Sequence, residues 1–147
     1  MNLSSELKID QVLGYYAAGT TKRTSDIVDM ANYEGCIFVA ELGTIIAGGT
    51  LDVYVEQNTA NSTSGMATLS GTAAHTVTAA NAALAKSCIV VDVHKPRERY
   101  LQCNITPAAQ NAVILGITAI RYNGRVMPDA AATALKTTIL ASPAEAA

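Results

Sequence analysis

Tryptophan is absent from this 147-residue chain, and Phe38 is its only phenylalanine. A core without large rings must be filled by Val, Ile, Leu and Ala, and platforms for stacking on sugars are scarce. Charge is scarce too. Asp, Glu, Lys and Arg make up 15% of the residues, against roughly 25% in an average soluble domain. So little charge limits the solubility of a free monomer, and part of the surface is expected to be covered by a partner. The net charge is −2 with no basic stripe, which argues against nucleic acid as that partner, because phosphate binding needs clustered cations. The longest apolar run, Ala112 to Ile120, is far below the ~20 residues that cross a bilayer. The N-terminal "MNLSSELKIDQVLG" has no apolar core of signal-peptide length. A cytoplasmically made chain with no membrane partner is expected.

The vocabulary of catalysis is equally thin. Cys36, Cys88 and Cys103 each sit inside an apolar run and show no CxxC spacing, so they read as small buried hydrophobes. His75 and His94 are far apart in sequence, which leaves no zinc-ligand set. "GTIIAGGT" (Gly43–Thr50) lacks the lysine and helix of a phosphate cradle. The expectation is no enzyme, no metal and no cofactor.

What the chain does have is strand signal. "GGTLDVYVEQ" alternates, with Leu51, Val53 and Val55 on one face and Asp52, Tyr54 and Glu56 on the other. "GCIFVAELG" (Gly35–Gly43) is a continuous apolar run between glycines, as for a strand buried on both faces. "SCIVVDV", "RYLQCNIT" and "NAVILGITAIRY" follow. In the last, Val113, Leu115, Ile117 and Ala119 share a face, and the other face is also apolar, which predicts a central strand. Between them "AANAALAK" suits one or two helical turns. Many short strands with no βαβ alternation predict an all-β fold, an antiparallel sandwich or a jelly-roll-like barrel. The expected organisation is an N-terminal arm over 1–23, a sandwich over 24–127 and a C-terminal tail over 128–147, with one strand or short helix near Leu135–Leu140.

One stretch is crowded: "DVHKPRERYLQCNIT", from Asp92 to Thr106. By strand alternation Asp92 and His94 oppose Ile89, Val91 and Val93, and Lys95 to Glu98 form a proline-bearing corner. No Ser, Thr or Cys nucleophile is visible beside His94, so a solvated corner that touches a partner is the better reading than an acid–base site. Lys95, Arg97 and Arg99 are the candidate contacts there. Tyr15 and Tyr16 are the candidates in the N-terminal arm, since tyrosine combines contact area with a polar tip.

The chain as a whole resembles small virion proteins of tailed bacteriophages, of the capsid decoration or cement type. "VDVHKP…RYLQ" and "GITAIRYNGR" carry most of the likeness. The resemblance implies a β-sandwich or jelly-roll subunit without enzymatic activity. It implies binding to the major capsid protein on the outside of the shell, with self-association as a dimer or trimer. Alternatives are a head-completion, neck or tail protein, and a sandwich whose loops grip host-surface glycans.

Overall fold

In the computed structural model, which describes residues 2–129 and 131–141, the strands in chain order are β1 (Lys8–Leu13), β2 (Tyr16–Gly19), β3 (Arg23–Thr24), β4 (Val28–Asp29), β5 (Gly35–Ile45), β6 (Thr50–Asn58), β7 (Ala67–Thr68), β8 (Ala73–Thr76), β9 (Ser87–His94), β10 (Tyr100–Ala108) and β11 (Ala112–Tyr122). One sheet has the order β1-β11-β5-β9, with β2 also on β11. The other runs β3-β10-β6-β7, with β4 also on β10 and β8 on β6. Every pairing is antiparallel. The pairings nest: β1 with β11, β3 and β4 with β10, β5 with β9, β6 with β7 and β8. That nesting of first with last is the jelly roll, a double-sheet sandwich, as the strand pattern predicts.

The core lies between the sheets. Leu51, Val53 and Val55 of β6 and Leu101, Cys103 and Ile105 of β10 are buried, as their alternation predicts. Opposite them stand Cys36, Phe38, Ala40 and Leu42 of β5. The other face of β5 corrects the expectation of two buried faces: Ile37 and Val39 are only half-buried and Glu41 is exposed, because no layer covers the outside of this sheet among the described residues. The helical turns fall at α1 (Ala79–Leu84), opened by a reciprocal cap in which the Thr78 side chain accepts from the Asn81 amide and the Asn81 side chain accepts from the Thr78 amide.

β11 is flanked on both sides, so its central position holds, but its face assignment does not. Val113 is half-buried and Leu115 exposed, while Ala112, Ile114, Ile117 and Ala119 are buried. The inward row changes phase across a bulge at Gly116, where the register against β5 shifts. A side chain there would place Cβ 2.7 Å from the Leu13 carbonyl oxygen and 2.9 Å from Gln11 Nε2.

The first 23 residues are not an arm. β1 and β2 are integral strands, and Val12 and Leu13 belong to the core. The alternation of β1 is disguised because its inward positions include Asp10, 5% exposed, beside Val12. Asp10 Oδ2 accepts from Arg121 Nη2 at 2.6 Å. Arg121 also donates Nη1 to the Asp29 carbonyl at 2.8 Å and lies 5.2 Å from the centroid of the Tyr33 ring. Thr133 completes the arrangement, donating its amide to Asp10 Oδ1 at 2.9 Å. A buried polar pair on an inward strand position looks like loop in the sequence and folds as core.

The tail divides in two. Residues 125–129 and 131–133 are strapped to the body. Asn32 exchanges side-chain hydrogen bonds with the Val126 backbone. Lys8 Nζ lies 3.3 Å from Asp129, and Tyr33 also bonds Asp129. Residues 134–141 are exposed throughout, with Leu135 and Leu140 bare to solvent and Ile139 bordering a shallow cleft with Leu7, Ile9 and Pro128. The strand or helix expected near Leu135–Leu140 is not formed. The remainder of the expected tail, at 130 and 142–147, lies outside the described residues.

Candidate functional site

The corner after β9 is built by three strands converging at one end of the sandwich. Lys95 takes a left-handed φ of 50° and donates its amide to the Glu34 carbonyl at 2.8 Å. That turns the chain sharply before Pro96. Lys95 Nζ then sits 3.2 Å from Glu34 Oε1, while Asn123 Nδ2 donates to Glu34 Oε2 at 2.8 Å. The bond from Asn123, then that from Lys95, hold the Glu34 carboxyl below its ordinary pKa. Arg99 makes a two-pronged contact with Asp29, Nε to Oδ1 at 2.8 Å and Nη2 to Oδ2 at 2.9 Å, and its guanidinium lies 5.1 Å from the centroid of the Tyr100 ring. Those bonds hold Asp29 below the usual carboxylate range.

The three cations of the corner therefore differ. Lys95 and Arg99 are engaged within the chain, although both remain solvent-facing. Arg97 is exposed and has no ion-pair partner among the described residues. It stands on a ridge between two clefts, each of about 790 Å³. One lies between the sheet edges and is lined by Tyr54, Gln57, Thr72, Val90 and Asp92. The other holds Asn32, Glu34, Arg99 and Arg125.

Asp92 and His94 do face away from the core, as their alternation predicts. The group that joins them has no sequence signal. Tyr122 of β11 reaches across β5, donates Oη to Asp92 Oδ1 at 2.7 Å, lies 3.3 Å from His94 Nδ1 and stacks on the His94 ring with planes 8° apart. Gly35 makes the reach possible, since any Cβ there would lie 2.1 Å from the Tyr122 ring. Burial, then the bond to Asp92, pushes the Tyr122 pKa up to about 12, so its hydroxyl is a donor at neutral pH. Among the described residues neither histidine bonds a Ser, Thr or Cys; His75 pairs with Asn81 Oδ1 at 2.8 Å. The cluster fastens β9 to β11 over the top of β5. Gly35→Ala is expected to displace the ring at a cost of about 1–3 kcal/mol and to lower the Tyr122 pKa towards its ordinary value near ~10. An ultraviolet titration of tyrosine ionisation checks this, and an unchanged alkaline profile would count against the bridge.

The tyrosine pair separates as well. Tyr15 is 64% exposed. Tyr16, in β2, packs against the core and lies under the Arg23 guanidinium at 4.0 Å, so it is tied into its own fold. Cys88 departs from the expectation of three buried thiols: Cys36 and Cys103 are buried, but Cys88 is exposed on the outward face of β9. Among the described residues no helix is long and apolar enough to cross a membrane.

No protein-family model matches this chain, and no curated protein matches it. Among solved structures, dimeric latent PorU from Porphyromonas gingivalis is similar over 80% of this chain and 12% of that one, with 11% identity and a TM-score of 0.46. The chain thus spans about an eighth of that protein's length, and a likeness at this level bears on neither mechanism nor partners.

Proposed function

We propose that this chain is a structural virion protein that binds the outer surface of a bacteriophage capsid and cements the shell, self-associating as a dimer or trimer. The observation that carries the reading is the C-terminal segment 134–141, which leaves a strapped anchor and presents Leu135 at 102%, Leu140 at 87% and Ile139 at 60% exposure. Apolar side chains held out in this way stay in contact with water until a partner covers them, and closed symmetric assemblies supply such cover. The resemblance of "VDVHKP…RYLQ" and "GITAIRYNGR" to decoration proteins supplies the identity of the shell. A jelly roll alone hosts many functions and supports the reading only as an analogy of fold.

In this role the exposed Arg97 meets acidic capsid surface, and Tyr15 adds a second contact. Lys95 and Arg99 shape the ridge through their own carboxylates. Arg97→Glu is expected to weaken binding to purified shells about five- to tenfold at low salt, with the difference shrinking as salt rises. Equal binding of the variant at low salt would remove the corner from the interface. The reading as a whole is tested by counting this chain against the major shell protein in purified virions by quantitative mass spectrometry. A ratio near one, or a simple lattice fraction of it, is expected. A dozen copies or fewer would place the protein in the neck or tail instead, and absence from the particle would refute a virion role.

A further inference from the structure

The two edges of the β1-β11-β5-β9 sheet are treated in opposite ways. The β1 edge is covered: the Gln11 amide donates to Thr133 Oγ1 at 2.7 Å, and the Val12 carbonyl accepts from the Asp26 amide at 2.8 Å. The β9 edge is bare. Its eight residues pair only with β5, and among the described residues no other backbone hydrogen bond reaches positions 87–94. The second sheet ends in strands of two to four residues, the usual protection against further pairing. β9 has no such protection. It reads SCIVVDVH, its Val90 is 57% exposed, and it borders the cleft of about 790 Å³ between the sheets. A long, apolar, unpaired edge is a template for an added strand.

The same chain carries a segment that fits. Residues 134–141, ALKTTILA, are eight in number, exposed and free of regular structure. In an extended conformation Leu135, Thr137 and Ile139 share one face, and Lys136, Thr138 and Leu140 the other. With the first row turned into the cleft, the second lies beside the outward row of β9. An antiparallel register then sets Lys136 opposite Asp92, Thr138 opposite Val90 and Leu140 opposite Cys88. It joins the arm's single cation to the single anion of β9. The arm's own β9 is a poor target. The root at Thr133 sits on β1, and β11 and β5 intervene. Crossing three strand spacings uses about 14 Å of the roughly 26 Å that eight extended residues span, leaving only about half the arm to pair.

We infer that the C-terminal arm of one copy adds as a strand to the β9 edge of a second copy. Reciprocal exchange gives a dimer, and head-to-tail exchange gives a ring where the rotation between copies closes. The inference deepens the self-association proposed above, and it is independent of what the assembly binds. Its test contains no capsid, so it can fail while the decoration reading survives, and the reverse.

The test is sedimentation of the full chain at tens of micromolar alongside a chain ending at Thr133 and a Val90→Lys variant. The truncation keeps the hydrogen bonds of the strap among the described residues, and position 90 is already exposed. The full chain is expected to form a discrete oligomer, and both variants to associate at least tenfold more weakly. In a Leu140→Cys variant, oxidation is expected to join Cys88 of one chain to the thiol introduced at position 140 of another, since directly opposed strand residues lie within disulfide range. Adding Cys88→Ser should abolish the cross-link. A full chain that stays monomeric overturns the inference. So does an oligomer that survives the truncation, which would point to β9 pairing with itself or to another face, and so does an oligomer of the Leu140→Cys variant in which positions 88 and 140 do not cross-link.

Discussion

Arg121→Met should destabilise the protein by about 3–5 kcal/mol, because it strands Asp10 as an unpaired buried carboxylate. The Arg121 and Asp10 side chains are only 10% and 6% exposed, and their 2.6 Å contact lies where β1, β11 and the strap meet. Urea unfolding at neutral pH measures the loss. Adding Asp10→Leu to Arg121→Met should recover most of it, since replacing both partners removes the orphaned charge. If the single and double variants lose equal stability, the cost comes from packing and not from the pair. The pair also sets the acid limb. Burial opposes ionisation of Asp10, but the bonds from Thr133 and Arg121 outweigh it and hold the pKa below its ordinary value. A depressed carboxyl contributes stability that is complete above about pH 4 and is lost as pH falls through the folded-state pKa. Asp10→Asn should therefore lower stability at neutral pH and flatten the acid limb.

The second large effect lies at alkaline pH. Burial pushes the thiols of Cys36 and Cys103 up to about 12, whereas an unfolded thiol ionises near ~8.5. For an acid whose folded pKa is raised, the neutral form is retained in the fold. Stability is complete below the unfolded pKa and falls as pH rises towards the folded one. By pH 11 each thiol should account for a loss on the order of 3 kcal/mol, which together rivals the net stability of a small domain. Tyr33 and Tyr122, also raised to about 12, add to the same limb at higher pH. A Cys36→Ala/Cys103→Ala protein should be less stable at pH 7 from lost core volume, yet shed much less stability between pH 8.5 and pH 11. Parallel alkaline curves for the two proteins would refute the assignment. Cys88 is exposed and stays in both proteins, so it does not separate them.

Local alternation determined most of this architecture. Leu51, Val53 and Val55, and Leu101, Cys103 and Ile105, name their own inward faces, because a period of two on a pleated strand leaves one consistent choice. The absence of βαβ alternation and the glycine- and proline-marked corners were enough for an antiparallel sandwich. The corner from Lys95 to Arg99 was legible for the same reason, as charges around a proline between two strands. Three things were decided only by tertiary contact. β1 took an inward aspartate because Arg121, 111 residues away, neutralises it. The phase of β11 reversed across the bulge at Gly116, where the Leu13 carbonyl leaves no room for a side chain. Tyr122 joined Asp92 and His94 because Gly35 leaves room above β5. Each depends on which residues meet across strands distant in sequence, and a single chain's periodicity carries no record of such meetings. The same limit holds for the ends. Leu135 and the β9 run each look ordinary in the sequence; only the fold places the arm at one sheet edge and the vacant strand position at the other.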